Sequence, residues 1–267
     1  MRTVRLGGVE VSRVVIGGNP FSGFSHQSRD RDREMMRYYT TARIKETLRK
    51  AEAAGINTFF GRTDRHIQRL LAEYWDEGGT IQWFGQTASE LGDQLAAIRT
   101  AAAAGAKGTY IHGGVVDFWY AENRTDMLIA ALDTMRECGV AAGFAGHTLE
   151  AHTWIRDHLE PDFSMCSYYD PSPRAASPHH VAGTKETWDD AHRDAMVALI
   201  HGVPWPVVHY KVFAGGNRPI GPAFEYLATS MRPDDLVCIG HYLGDNPNMI
   251  AENVEAFDKV VESSPRA

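Results

Sequence analysis

Lys107-Gly-Thr-Tyr-Ile-His-Gly-Gly-Val-Val-Asp117 reads as a short buried strand that ends on a histidine and a glycine pair. Thr109, Tyr110 and Ile111 are β-branched or aromatic, the residue types that fit a packed, pleated surface. The strand hands His112 to Gly113-Gly114, where missing Cβ atoms leave room for a ligand beside the imidazole. Upstream, Glu90–Ala104 reads as a helix that stops at Gly105, a usual C-terminal cap. Downstream, Arg124–Cys138 reads as a second helix that stops at Gly139.

Outward from this stretch the same unit recurs. Helices over Thr41–Ala54 and Arg65–Asp76 end at Gly55 and Gly78-Gly79, and strands Ile56–Phe60 and Ile81–Gly85 follow them. Beyond the centre, strands Val140–Ala145, Asp162–Tyr169, Pro206–Val212 and Leu236–Gly240 alternate with helices Leu149–His158, Ala191–His201, Pro219–Ser230 and Pro247–Glu262. Arg13–Asn19 supplies the first strand of the series, and residues 3–12 fold around Gly7-Gly8 as a leading hairpin. Eight strands alternating with eight helices predict an α/β protein: one (β/α)8 TIM barrel with an N-terminal β-hairpin, a single domain over residues 1–267. A doubly wound open sheet is the alternative, which eight near-equal repeats disfavour. Two stretches fall outside the rhythm. Pro20–Thr40, with Arg29, Arg31, Arg33 and Arg37, reads as a long loop, either a lid or binding loop or plain solvated surface. Asp170–Asp190 is the other, carrying Pro171, Pro173, Pro178 and the pair His179-His180.

Composition narrows the classes. The 267 residues are 43% hydrophobic and 23% charged, which is ordinary globular material. A net charge of −7 argues against a nucleic-acid partner. No apolar run approaches the roughly 20 residues of a membrane helix. The opening Met1-Arg-Thr-Val-Arg-Leu-Gly-Gly8 lacks an apolar signal core, so a cytoplasmic protein is expected. Cys138, Cys166 and Cys238 lack paired spacing, as in a reducing compartment.

In a barrel of this kind the site lies at the C-terminal ends of the strands. Asn19, Gly61 to His66, Gln86, His112, His147, Tyr169-Asp170, His209 to Lys211 and His241-Tyr242 fall there. Five histidines from five strand ends (His66, His112, His147, His209 and His241) would gather at one mouth. A histidine that merely packs the rim is the plain reading of any one of them.

The motifs along these strands resemble those of the aldo/keto reductase superfamily. Leu6-Gly7-Gly8, Val11-Ser12-Arg13 and Ile16-Gly17-Gly18 are similar to that family's opening, and Ala54-Gly-Ile-Asn-Thr-Phe-Phe60 to its second strand. Tyr110-Ile111-His112, Tyr169-Asp170-Pro171, Tyr210 with Phe213-Ala-Gly-Gly216, and Ile250-Ala-Glu-Asn253 resemble later elements. The resemblance implies the barrel fold and, in the family's reductases, an aspartate, a tyrosine, a lysine and a histidine around a carbonyl oxygen. Here the aspartate position falls at Gly61, the tyrosine near His66 and the lysine at Gln86; only the histidine is matched, at His112. The family's NAD(P)H contacts carry over as Tyr210, Glu252 and Asn253. The Ser-Asn pair and glutamine that hold the carboxamide become Ala145-Gly146 and Cys166, and the arginine for the 2′-phosphate becomes Met249.

These departures favour a non-redox enzyme on the same barrel: a lyase, dehydratase, isomerase or hydrolase acting on a polar hydroxylated or carbonyl small molecule. His112, His66, Lys211 and Asp170 are the expected acid–base set, since a lysine pointing inward among histidines loses basicity and becomes a base or imine former. Asn19, Gln86, Tyr169, Tyr210 and Arg218 are expected to contact substrate, with Gly215-Gly216-Asn217-Arg218 suited to a phosphate or carboxylate. In a metal-assisted version His112, His147, His209 and His241 would hold Zn, Fe, Mn or Ni, completed by Asp117 or Asp170. An atypical NAD(P)H-dependent oxidoreductase using His66 and His112 is the first alternative. A non-catalytic ligand-binding barrel is the second.

Overall fold

Gly7 (φ 53°) and Gly8 (φ 84°) both occupy the left-handed region, as a two-residue turn of the right twist requires. They join β1 (Thr3–Leu6) to antiparallel β2 (Val9–Ser12), with Leu6 opposite Val9. A Cβ on Gly7 would lie 2.8 Å from Ala141 Cβ and from the Asp162 carboxyl, so the turn presses on the barrel's N-terminal end. Val4, Leu6 and Val11 join Phe60, Phe84 and Phe163 in one apolar cluster, which plugs that end. The structure, a computed structural model, describes residues 1–172, 174, 176–179 and 186–263.

The barrel follows as the repeats predict. Strands β3 (Val14–Gly17), β4 (Thr58–Arg62), β5 (Gln82–Thr87), β6 (Gly108–Ile111), β7 (Ala141–Gly146), β8 (Phe163–Ser167), β9 (Val207–Tyr210) and β10 (Leu236–Gly240) pair in parallel, each with the next, and β10 closes on β3. Their near-continuous burial reflects coverage on both faces. Phe60, Phe84, Tyr110, Phe163 and Met165 fill the interior, and two outer clusters weld the helices to the strands.

Two helices depart from the sequence expectation. The stretch Pro20–Thr40 is not a plain loop: it holds α1 (Arg29–Tyr38), capped by the Ser28 side chain on Arg31 N, with Asp30 and Asp32 in the first turn. Its apolar face is narrow, Met35 being the buried residue, so its polar composition hid it. The regular layer continues with α2 (Thr41–Ala53), α3 (Arg65–Asp76) and α4 (Gln94–Ala103). Then α5 (Gly113–Ala121) starts directly on the glycine pair, whose poor helix propensity masked it. After α6 (Thr125–Glu137) and α7 (Leu149–His158), α8 (Asp190–Ile200), α9 (Ile220–Ser230) and α10 (Met249–Phe257) complete the layer. His180 and Pro173, noted in the sequence, lie outside the described residues. Among the described residues no helix is long and apolar enough to cross a membrane.

Candidate active site

A cavity of about 730 Å3 opens at the C-terminal ends of the strands. Its floor is apolar, from Phe60, Ala145, Met165 and Cys238, and its inner wall is polar, from Gln86, Tyr110, His112, His147, Tyr210 and Lys211. Lys211 immediately follows β9 with φ 58°, a left-handed conformation rare for a non-glycine residue and common at functional sites. Its Nζ lies 3.1 Å from His147 Nε2.

His147 follows β7 and is held from behind. Its Nδ1 lies 2.8 Å from Asp117 Oδ2. Asp117, on α5 and 3% exposed, also accepts from the His147 and Thr148 amides and the Thr148 hydroxyl. A carboxylate acceptor on Nδ1 assigns the proton there and leaves the Nε2 lone pair facing the cavity. The Tyr210 hydroxyl donates to Gly146 O at 3.1 Å and lies 3.2 Å from the same Nε2. Glycine is required at Gly113, because a Cβ there would sit 2.9 Å from His147 Cε1 and 3.0 Å from the Tyr210 oxygen.

Burial sets the electrostatics. It pushes the Lys211 ammonium down to about 8, with Glu186 opposing and Arg174 adding to the fall. His147 is held well below the usual histidine range by burial and then by the Lys211 and Arg174 charges. Burial raises the Asp117 carboxyl against the amides that hydrogen-bond it. His112, at the N-cap of α5, is likewise lowered by burial, then by His147 and Arg174. Its amide donates to Thr87 Oγ1, and its Nδ1 is buried without a hydrogen-bond partner. Asp117, His147 and Lys211 thus form a chain along which a proton can pass, and His112 offers a further ring nitrogen to a ligand.

Other expected residues stand elsewhere. His66 lies on the exposed first turn of α3 and does not line the cavity, so it cannot join the acid–base set. Asp170 is off the cavity wall, its carboxyl raised by burial and by Asp117, and its Oδ1 has no partner. Asn19 and Gln86 do line the cavity; Asn19 Nδ2 lies 3.3 Å from His26 Nε2. Tyr169 is 1% exposed and packs edge-on against Trp188 behind the wall. Arg218 lines the outer end, paired with Asp190 at 2.9 Å.

The four histidines expected to share a metal do not converge. His209 points away from the cavity, Nε2 to Asp235 at 3.2 Å and Nδ1 to the Tyr168 hydroxyl at 3.0 Å. His241 is fully buried off the wall, with neither ring nitrogen hydrogen-bonded, and burial lowers it to about 4. Among the described residues no three His, Cys, Asp or Glu side chains form a group able to hold a metal ion.

Sequence reading did not single out Arg174, Arg62 or His26, all on the wall. They come from loops whose approach to the mouth is set by tertiary packing, and no local pattern marks them. The segment Ser25–Gln27 crosses to the loop after β9: Gln27 Nε2 donates to Gly215 O at 2.8 Å, and His26 Nδ1 meets Glu186 at 2.9 Å. Arg31 pairs with Asp245 and stacks 4.4 Å over the Tyr242 ring.

No protein-family model and no curated protein matches the sequence. Solved structures do. A Pseudomonas aeruginosa protein assigned to the aldo-keto reductases is 18% identical, with a TM-score of 0.62 over 97% of this chain and 94% of that one. An aldo-keto reductase from Bacillus halodurans, solved in its holo form, is 13% identical, with a TM-score of 0.61 over 96% and 90%. This chain carries the aldo-keto reductase fold. The aldo-keto reductase barrel does not by itself select a reaction. An aldolase designated QR15 is also similar, at 10% identity and a TM-score of 0.50 over 84% and 90%.

The residues of this aldo-keto reductase barrel do not fit a nicotinamide. The Gly146 carbonyl is taken by Tyr210, Ala145 has no side-chain donor, and Cys166 is buried off the cavity wall. At the far end Glu252 is engaged by Asn246 at 2.7 Å. Asn253, 3% exposed, lines the cavity beside Met249. The wall arginines Arg31, Arg62 and Arg218 are each paired with a carboxylate already.

Proposed function

We propose that this protein is an acid–base enzyme that works through Lys211 on a carbonyl-bearing small molecule, as a lyase or isomerase. One observation carries the reading: Lys211 Nζ lies 3.1 Å from the Nε2 of an imidazole whose other nitrogen is locked on buried Asp117. With a pKa of about 8, about a tenth of the amine is neutral at pH 7. An unperturbed lysine would be some 300-fold less available.

The neutral nitrogen attacks the substrate's carbonyl carbon. Its two hydrogens and the carbonyl oxygen leave as water, and a C=N bond forms. His147 carries protons between nitrogen and oxygen while Asp117 steadies its cationic form. Once protonated, the imine withdraws electrons from an adjacent C–H or C–C bond. The electron pair of the broken bond moves into an enamine, and the released proton goes to His147 or to His112. Hydrolysis of the C=N bond returns Lys211. Tyr210 positions His147 through the shared Nε2 and the Gly146 carbonyl.

Sodium borohydride tests this directly. Incubation with a small carbonyl compound and borohydride should attach one reduced adduct to Lys211, read by peptide mass spectrometry. Adducts spread evenly over surface lysines would refute the reading.

The competing reading is an NAD(P)H-dependent oxidoreductase. It is favoured by the shape of the cavity, which continues past Gly215, Gly216 and Arg218 to Met249 and Asn253, and by the names of similar structures. A thermal shift with millimolar NADPH would support it; an unmoved melting curve would count against it.

A further inference from the structure

The inner end of the cavity has a charge asymmetry that the relay alone does not need. Lys211, His112, His147, Gln86 and Tyr110 line it, and no carboxylate does. Asp117 is shut behind His147, and Glu186 is engaged by His26. The carboxylates that do line the cavity, Glu90 and Asp245, are bound to Arg62 and Arg31.

Arg174 adds to this asymmetry. It is 6% exposed, lines the cavity, and donates from Nη1 to the His179 carbonyl at 2.7 Å. Its charge lowers His112, His147 and Lys211 alike, which places it over the whole group. The first turn of α5 opens on the same space. The Gly113 and Gly114 amides donate to no described group, and amides in a first helical turn favour an anion. That turn and the relay are van der Waals neighbours, since a Cβ on Gly113 would lie 2.9 Å from His147 Cε1. An anion held there would have its adjoining carbon beside Lys211.

Resting on the lysine reading above, we propose that the substrate is a 2-oxo acid, its carboxylate held between Arg174 and the first turn of α5 and its keto carbon presented to Lys211. A neutral carbonyl compound of the same size would forgo a charge-assisted contact in a buried setting, worth at least tenfold in affinity.

Calorimetric titration of the full chain at pH 7, without reductant, compares pyruvate with hydroxyacetone, which replaces the carboxylate by a neutral hydroxymethyl group. Pyruvate should bind at least tenfold more tightly. Arg174→Gln should weaken pyruvate about tenfold and bring the two affinities together, whereas Arg174→Lys should keep part of the preference. Melting curves of both variants confirm that they fold. Equal affinities for the two compounds, no binding of either, or a pyruvate preference that survives Arg174→Gln would overturn the proposal. Borohydride trapping is scored separately on the same samples. If pyruvate binds with the expected preference but leaves no adduct on Lys211, the carboxylate site stands and the lysine chemistry falls.

Discussion

Two buried histidine–aspartate pairs serve opposite ends in this molecule. His147 with Asp117 faces the cavity, and His209 with Asp235 lies on the far side of β9. Alternation along β9 explains the split, because His209 and the next residue, Tyr210, must point to opposite faces. The partners differ more than the pairs do. Asp235 receives the Arg232 guanidinium at 2.8 and 2.9 Å, as well as the Val207 and Arg232 amides. Burial pushes its carboxyl up, but the His209 and Arg232 hydrogen bonds outweigh that and hold it far below the usual carboxylate range. Asp117 has only neutral donors beside its histidine, and burial raises it. Both ring nitrogens of His209 are spent inside the protein, whereas His147 keeps Nε2 for Lys211. A permanent cation makes a clamp; its absence, with one ring nitrogen turned to the cavity, makes a relay.

The comparison breaks most sharply at Lys211. Lys211→Met should abolish the borohydride adduct with pyruvate and leave the melting temperature unchanged or higher, since a buried amine is replaced by an apolar chain of similar length. In the native protein the trapping rate should climb as pH rises through about 8, because the amine must lose its proton to attack. A rate that stays flat from pH 6 to 9 would remove Lys211 from the role.

The two aspartates should then separate cleanly. Asp117→Asn should slow trapping by about 10^2- to 10^3-fold, by favouring the wrong imidazole tautomer, with little change in stability. Asp235→Ala should do the reverse. It strands Arg232 and His209 in the interior, at a cost of about 3–5 kcal/mol, and lowers the melting temperature by roughly 10 °C. Trapping per folded molecule should be preserved. Equal effects of the two substitutions on both readouts would show that the distinction between clamp and relay is wrong.

This division was only half legible in the sequence. Strand and helix repeats with capping glycines are local signals, so the barrel and its hairpin could be read directly. Strand-end position was legible too, and it put His112, His147 and Lys211 at the mouth. Which face a strand-end side chain takes depends on a single residue of register, and that is where His209 and His241 were misplaced. His66 was carried to the rim by alignment, but α3 begins at Arg65 and turns it to solvent. Asp117 was legible only as a spare carboxylate, because α5 begins on two glycines and conceals the turn that brings it under His147. Arg174 gave no signal at all.

His241 sharpens the contrast from a third side, as a buried histidine with no hydrogen-bond partner. It is neutral in the folded protein down to a pH of about 4, whereas the unfolded chain takes up the proton near 6.5. Between those values the unfolded state binds more protons, so stability falls as pH drops through that window and levels off below it. The loss amounts to about 3 kcal/mol. His241→Phe should remove that part of the acid sensitivity in urea melts at pH 7 and pH 4. His209, engaged on both nitrogens, should not give the same relief when replaced by glutamine, because that substitution disturbs Tyr168 and Asp235 at both pH values.

The smallest lesion tests the relay's geometry rather than its chemistry. Gly113→Ala places a methyl 2.9 Å from His147 Cε1 and 3.0 Å from the Tyr210 oxygen, closer than side chains tolerate. Gly113 has no positive φ, and alanine is the better helix former, so the backbone gains a little while the imidazole must move by a few tenths of an ångström. A shift of that size along the Nε2···Nζ direction lengthens a 3.1 Å contact enough to weaken proton transfer. Trapping should slow about tenfold, equivalent to roughly 1.4 kcal/mol, with the melting temperature within a degree or two of the native value. A relay needs its atoms in place and a clamp only needs its charges. If Gly113→Ala traps pyruvate at the native rate, His147 acts on Lys211 through its field alone, and the direct proton path between them is excluded.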